Sequence, residues 1–316
     1  MRLLLVLSWL LAGGLAAVVG LRALGLERGT ALALLVGALP LTLLPAYAVL
    51  AVAAGLRRRR LAALGGLLVL AHLFVIAPAL GAAGLPAGAA SAPRLRVVTA
   101  NLYVLNPVPE QAGRALRALR PDVLVVPELD ARGLAGLRAS GLLADLPFAV
   151  VQEEGRPETV GLFSRLPLRD VDVRAVGGRA LPRATVTVSG TDVRLLAAHP
   201  LPPISVYAPL WRRALQDLAA ESRALALPAV VAGDLNADRD HVLFRRLLET
   251  GLRDAHDVRG RGLARTWPAS FPLLHLDHVL VRDGVGARLA VLDVAEADLP
   301  GSDHKAVVAD LAVLAG

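Results

Sequence analysis

Cysteine is absent from the 316 residues, and lysine occurs once, at Lys305. The first absence excludes disulfides, thiolate metal sites and a cysteine nucleophile. It leaves the compartment open, since a chain outside the cytoplasm can simply lack disulfides. The second changes the meaning of the net charge of +7. Such an excess would suit an anionic partner or a membrane surface. Here, however, arginine and alanine are abundant throughout, which reads as compositional bias rather than a binding patch. Aromatics make up only 3%, which argues against a surface that stacks nucleobases. What the chain has instead is apolarity. Its mean hydropathy of +0.56 is too high for one ordinary soluble domain, and its length suits about two domains, so part of it is expected in lipid.

Three uncharged runs open the chain, at residues 3–21, 29–56 and 61–81. Each is about long enough to span a bilayer. The second carries Pro40 and Pro45, which membrane helices tolerate. Three runs in succession argue against a signal peptide, and apolarity on every face argues against buried core helices. Arg57, Arg58, Arg59 and Arg60 lie between the second and third runs. The positive-inside rule puts that loop, and Arg2, in the cytoplasm. The loop with Arg22, Glu27 and Arg28 is then outside, and so is everything after the third span. Residues 1–81 are therefore expected to form a three-helix transmembrane region. Residues 82–93, rich in Ala, Gly and Pro, read as a linker, and 94–316 as one domain large enough for a single core.

In that domain, apolar runs predict strands at 95–100, 123–126, 148–152, 161–165, 184–188, 193–198 and around Val230–Val231. Further strands are expected at 276–281, 291–294 and 306–313. Residues 189–191 join two of them as a hairpin. Helical spacing covers 109–119 and 242–248, with Gly251 as a stop. Trp211, Leu215 and Leu218 share one helical face.

The stretch 230–238 reads Val-Val-Ala-Gly-Asp-Leu-Asn-Ala-Asp. In extended chain, residues two apart point the same way, so Asp234 and Asn236 can face one site. Asp and Asn are also common turn residues. Asn101, Glu128, His199 and Asp234 each follow an apolar run, and strand ends are where ligand sites gather in sheets with helices. Asp, Glu and Asn supply hard oxygen ligands, which without thiolates points to magnesium or manganese rather than zinc. His199 and His304 remain for proton transfer or phosphate contact. Asp277 could orient His304 as the buried acid does in a hydrolytic triad. No Gly-x-Ser-x-Gly nucleophile elbow occurs. The sum suits metal-assisted attack of water on a phosphate ester.

The same residues carry a resemblance. VVTANLY, VLVVPEL, GLFSRLPL, LLAAHPLPP, VVAGDLNAD, LDHVLV and GSDHKAVVADL occur in order over 94–316, and together they resemble the endonuclease/exonuclease/phosphatase family. That resemblance implies an α/β fold, a DNase I-like two-sheet sandwich flanked by helices. It also implies a divalent-metal phosphoesterase using Mg2+ or Mn2+. Carried over, Glu128 is the principal metal ligand, with Asn101 and Asp303 at or near the metal. Asp234 positions or deprotonates the attacking water, and Asn236 holds a phosphate oxygen. His304, backed by Asp277, stabilises the phosphoryl group or shuttles a proton, and His199 contacts phosphate or assists the leaving group. The chain departs from the family at Pro127, where a polar residue usually precedes the glutamate, and at Leu201, where a polar companion of the histidine often stands. Thr266-Trp267-Pro268 resembles a segment near the substrate mouth, or else a packed Trp.

The expectation is thus a membrane-anchored phosphodiesterase or phosphatase on the outer side of the cell membrane. Its partners would be the bilayer and a phosphate-ester substrate, either a lipid headgroup or nucleic acid, the latter making it an extracytoplasmic nuclease. A non-catalytic binding protein on the same fold is the alternative of another class. No protein partner can be inferred. Asp130, Asp238, Asp240, His241, His256, His275 and His278 are taken as surface or supporting residues. His72, in the third apolar run, is either a functional intramembrane group or a packed one.

Overall fold

The computed structural model describes residues 1–26, 29–151 and 159–315, so Glu27, Arg28 and Gln152 lie outside the described residues. The N-terminal region contains α1 (Arg2–Ala23), α2 (Thr30–Gly37), α3 (Leu39–Thr42), α4 (Pro45–Gly55) and α5 (Arg59–Ile76). The helices that begin at Arg2 and Arg59 are each long and apolar enough to cross a membrane. The 29–56 run does something else. It breaks after Gly37, and α2 turns 86° away from the helix that continues over Leu39–Gly55. Pro40 accounts for the break, because it has no N–H to offer the Val36 carbonyl one turn back. The region has two such helices, or three if the bent pair counts as one span. Its helices pack through small residues: a Cβ on Gly65 would stand 3.0 Å from Leu50 Cα, the close approach that small residues permit. His72 is buried there, its Nδ1 3.0 Å from the Tyr47 hydroxyl.

Residues 82–93 are not a free linker. Ala83 donates to the Val258 carbonyl, and Ala89 is buried against Ala290 and Ala312. Beyond it come β1 (Arg94–Thr99), α6 (Pro109–Ala118), β2 (Val123–Leu129), α7 (Ala131–Ala139), α8 (Leu142–Asp145), β3 (Phe148–Val151), β4 (Thr159–Ser164) and β5 (Arg169–Val176). Then follow β6 (Arg179–Val188), β7 (Thr191–Ala198), α9 (Ala208–Ala224), β8 (Ala229–Asp234), α10 (Val242–Leu248), β9 (Arg253–Asp254), α11 (Ala255–Val258), β10 (Asp277–Arg282), β11 (Ala287–Ala297) and β12 (Ala306–Ala315).

Two mixed sheets face each other, ordered β11-β12-β1-β2-β4-β3 and β5-β6-β7-β8-β10-β9. At their centres β1 runs parallel to β2 and β7 parallel to β8, because helices α6 and α9 make the crossovers. Alternate residues fill the space between the sheets, Val97 and Val125 from one, Leu195 and Val230 from the other. The intervening residues face outward. Val98 and Leu124 pack under Leu116 and Leu137 of α6 and α7, and Leu196 and Val231 under Trp211 and Phe244. Each such side chain contributes roughly 1.5–3 kcal/mol of apolar burial.

Several strand expectations change, among them the short β9 and the start of β6 at Arg179 rather than 184. β5 is an additional strand, nearly all exposed, and its alternating Arg and Asp hide it from an apolar-run reading. β11 extends well past 291–294, since it pairs along β12 from Ala287 to Ala297. β2 runs on through Glu128 to Leu129, so Glu128 lies within its strand rather than after it.

Candidate active site

The C-terminal ends of the four central strands meet at one rim. Asn101, just past β1, is fully buried. Its Nδ2 donates to Glu128 Oε1 and to Asp234 Oδ2, each over 3.0 Å, so one amide ties the two sheets together. Its Oδ1 accepts from the Tyr103 N–H at 3.0 Å. With carboxylates on one side and an N–H on the other, the partners dictate which way the amide faces.

Glu128 is aimed by an irregularity. The register between β2 and β4 shifts between Val126 and Leu129, and Glu128 adopts a φ of +53°. A left-handed backbone costs a side-chain-bearing residue roughly 1–2 kcal/mol, and such bulges re-aim side chains beside functional sites. Glu128 Oε2 accepts from the Val104 N–H at 3.2 Å.

Gly233 sits where β8 presses on β7. A Cβ there would fall 1.8 Å from the Ala198 carbonyl oxygen. Asp234 closes the strand, and its Oδ1 accepts from the Asn236 N–H at 2.8 Å. The segment is thus both a turn and part of the rim. Asn236 donates from Nδ2 to the Pro200 carbonyl over 3.1 Å, which leaves that amide one further N–H.

Asp277 opens β10 and registers opposite Asp234. Its Oδ2 accepts from His304 Nδ1 at 2.8 Å, while His304 Nε2 stands 3.7 Å from Asp234 Oδ2. Ser302 fastens that loop, donating to the Asn101 carbonyl over 2.7 Å and accepting from the His304 N–H at 3.0 Å. His199 follows β7, and Arg179 donates to its Nδ1 over 2.9 Å. A guanidinium can only donate, so Nδ1 is the acceptor and the ring proton sits on Nε2, 3.9 Å from Glu128 Oε1.

Burial, with the nearby Asp277 charge adding to it, pushes Asp234 up to about 7, against His304 and the Asn236 and Asn101 hydrogen bonds. Burial works against charge on His304, yet Asp277 and Asp234 outweigh it and hold that imidazole at about 10. Burial, helped by Arg179 and His304, drives His199 well below the usual histidine range. The rim therefore carries one imidazolium and one neutral imidazole, two environments for two different roles.

A cleft of ≈ 310 Å³ opens here, lined by Glu128, His199, Asp234, Asn236, Asp303 and His304 among others. Asn101 and Asp277 are buried and do not line it. Every residue expected at the site from the sequence thus arrives at one rim. Arg179 and His241 also line the cleft and are not expected there from the sequence, and so does Trp267, which the sequence places either at the substrate mouth or packed inside. Trp267 donates from Nε1 to Asp303 Oδ2 over 3.1 Å, so it is a lining residue rather than one merely packed in the core.

The sequence profile of the Endonuclease/Exonuclease/phosphatase family matches residues 98–304. The chain belongs to this family. It is accordingly a metal-dependent hydrolase of phosphate esters. Among solved structures, the family's fold recurs in an endonuclease/exonuclease/phosphatase from Beutenbergia cavernae (24% identity, TM-score 0.57, covering 71% of this chain and 72% of that one). It recurs in a humanized D. rerio TDP2 (17%, TM-score 0.60, 69% and 98%). Sphingomyelinase C from Streptomyces griseocarneus is a third case (19%, TM-score 0.51, 69% and 99%). At these identities the likeness is one of fold. None of the curated proteins matches the chain.

The donors on this family member suit a hard divalent cation. Ligand atoms of Glu128, His199 and Asp234 lie within 4.8 Å of one another. Asp303 lines the same cleft, and its Oδ1 is buried without a hydrogen-bond partner among the described residues. Carboxylate oxygens with no sulfur match Mg2+ or Mn2+ chemistry, whereas Asn101 turns an N–H and not its oxygen toward Glu128, so it steadies the carboxylate rather than ligating a cation.

Several acids and histidines taken as surface or supporting groups prove deeply buried. Asp254, His275 and His278 also bring ligand atoms within 4.8 Å, but His278 Nδ1 already bonds Asp254 Oδ2 at 2.6 Å. His278 Nε2 faces the Ala237 and His275 carbonyls at 2.8 and 3.1 Å. Both ring nitrogens meet only acceptors, so both carry protons, and the group is a buried ion pair. Asp238 accepts from the His275 N–H at 3.1 Å, His256 bonds Glu296 at 2.7 Å, and Asp130 caps α7 by accepting from the Gly133 N–H. A histidine inside a strand gives no sign of which way it faces until the register is known.

Proposed function

We propose that this protein is a membrane-anchored, divalent-metal-dependent phosphoesterase, with residues 1–81 as its membrane region and 94–316 as its catalytic domain. The convergence of Glu128, His199 and Asp234 within 4.8 Å in the lining of the cleft carries the reading. Glu128 and Asp303 would hold Mg2+ or Mn2+, with Asn101 beside them fixing the Glu128 carboxylate through its Nδ2. When bound, the cation supplies positive charge for the phosphoryl oxygens. Asp234 takes the proton of the attacking water, a task suited to a carboxylate whose affinity for protons is raised towards neutrality. Asn236 offers its remaining N–H to a phosphate oxygen. His304, charged and backed by Asp277, faces the phosphoryl group, and His199 presents its Nε2–H to phosphate or leaving group. Arg57 to Arg60, between the spans, support a cytoplasmic loop and a catalytic domain on the outer side.

Purified protein should hydrolyse bis-p-nitrophenyl phosphate with Mg2+, stop on addition of EDTA, and lose the activity in Glu128→Ala and His304→Ala. Turnover that persists in both variants would refute the assignment.

A further inference from the structure

Part of the lining of the cleft is apolar, and some of it comes from the N-terminal region. Ala33 and Leu34 of α2 line it together with Pro202, Ile204, Leu274 and Leu276. The position of α2 is built in. His241 Nε2 donates to the Ala33 carbonyl over 3.0 Å, while its Nδ1 accepts from the Asp238 N–H at 2.9 Å. A Cβ on Gly37 would stand 2.9 Å from the His241 ring, so the helix lies directly on it. At the end of α1, Arg22 pairs with the buried Asp240 at 2.7 Å.

Orientation gives this wall its meaning. α2 lies at 86° to the apolar helix that follows it. If Leu39–Gly55 crosses the bilayer, that angle lays α2 along the membrane surface. Its sequence Thr-Ala-Leu-Ala-Leu-Leu-Val-Gly has no charge to keep it in water. Leu34 and Leu35 stay 46% and 43% exposed, and beyond Ile204 the lip continues through Val206, 75% exposed, and Tyr207. Among the described residues that line the cleft, Arg179 is the one Arg or Lys. A polyanion gains its affinity from many such contacts, whereas a single phosphate needs few.

We propose that α2 is the lipid-facing wall of the catalytic cleft and that the substrate is a bilayer phospholipid. Its phosphate ester lies against His199, Asp234 and His304, and its acyl chain runs along Leu34, Ile204 and Leu274. This rests on the phosphoesterase reading. In the reaction the bond from phosphorus to the leaving oxygen breaks, a bond from phosphorus to the oxygen of water forms, and the proton of water passes to the leaving oxygen.

The test uses the full chain in liposomes with Mg2+. Four bilayers are supplied: phosphatidylcholine, phosphatidylethanolamine, phosphatidylglycerol and phosphatidic acid. The soluble probes are bis-p-nitrophenyl phosphate and a single-stranded oligonucleotide. Because the chain has no cysteine, Leu34→Cys provides a unique thiol. Capping it with a charged methanethiosulfonate should lower the ratio of phospholipid to bis-p-nitrophenyl phosphate turnover about tenfold or more, and dithiothreitol should restore it. Recovery on reduction separates a blocked wall from a misfolded one. Ile204→Asp should lower the same ratio. An unchanged ratio in both variants overturns the proposal, as does a wild-type protein that cleaves the soluble ester or oligonucleotide and none of the lipids. Failure to cleave any probe overturns the phosphoesterase reading itself, and this one with it.

Discussion

Arg179 donates to Nδ1 of His199 over 2.9 Å, and that bond decides which proton His199 can offer. The guanidinium leaves Nε2 as the protonated nitrogen, turned toward Glu128. Arg179→Ala removes the donor that selects the tautomer and a positive charge beside the cleft. Its kcat/KM should fall by about 10- to 100-fold with a near-native melting temperature, since truncating one charged hydrogen bond costs about 1.5–3 kcal/mol. In 15N spectra of the wild type, His199 should report the Nε2–H form, and the variant should show a mixture.

Asp234 is the group whose loss should be most costly. Asp234→Asn keeps the size of the side chain and removes its capacity to accept a proton, so kcat should drop about 10²- to 10⁴-fold. The same residue gives the metal-free protein a pH signature. Its folded-state pKa of about 7 lies above the ordinary 3.8, so the folded state holds the proton more tightly and stability falls as pH rises between those values. His304, held at about 10, adds stability present below 6.5 that is lost as pH rises through 10. The melting temperature of EDTA-treated protein should therefore decline from pH 5 to pH 8, with added Mg2+ restoring it at pH 8. A flat profile would contradict the assigned environment of Asp234.

The site was legible from the sequence because its information is local. Asn101, His199 and Asp234 each follow a run of alternating or continuous apolar residues, and the ends of central strands are where a sandwich gathers them. What escaped notice depends on distant partners. Arg179 sits at the start of β6 and acquires meaning only from His199, on the neighbouring strand. His241 resembles any loop histidine until α2 folds back over it. The 29–56 run shows its length and apolarity, but not that Pro40 turns its first part across the rest. β5 was missed because an exposed edge strand need not be apolar.

Gly233 is the tightest steric point of the site. A methyl group there would meet the Ala198 carbonyl at 1.8 Å, backbone against backbone in the sheet centre, where neither strand can yield alone. Gly233→Ala should destabilise the protein by more than about 2 kcal/mol and displace Asp234 with it. Lower melting temperature and lower activity should appear together. Retention of both would show that β7 and β8 have more freedom than their contact implies.

The ion pair between Asp254 and His278 stands apart from the chemistry, and its effect should be on stability. Burial opposes the charge on both partners, yet each outweighs it for the other: Asp254 is held well below 3.8 and His278 above 6.5. Asp254→Asn would leave a buried imidazolium facing carbonyls and an amide, at a cost of about 3–5 kcal/mol. The contribution of the pair should be complete between about pH 4 and 6.5. It fades on the acid side as pH falls through the depressed pKa of Asp254, and on the alkaline side as pH rises through the raised pKa of His278. Urea unfolding of wild type and Asp254→Asn from well below about pH 4 to well above pH 6.5 should give a stability difference that is level between those values and narrows outside them on both sides. A difference independent of pH would mean that the pair is uncharged in the folded protein.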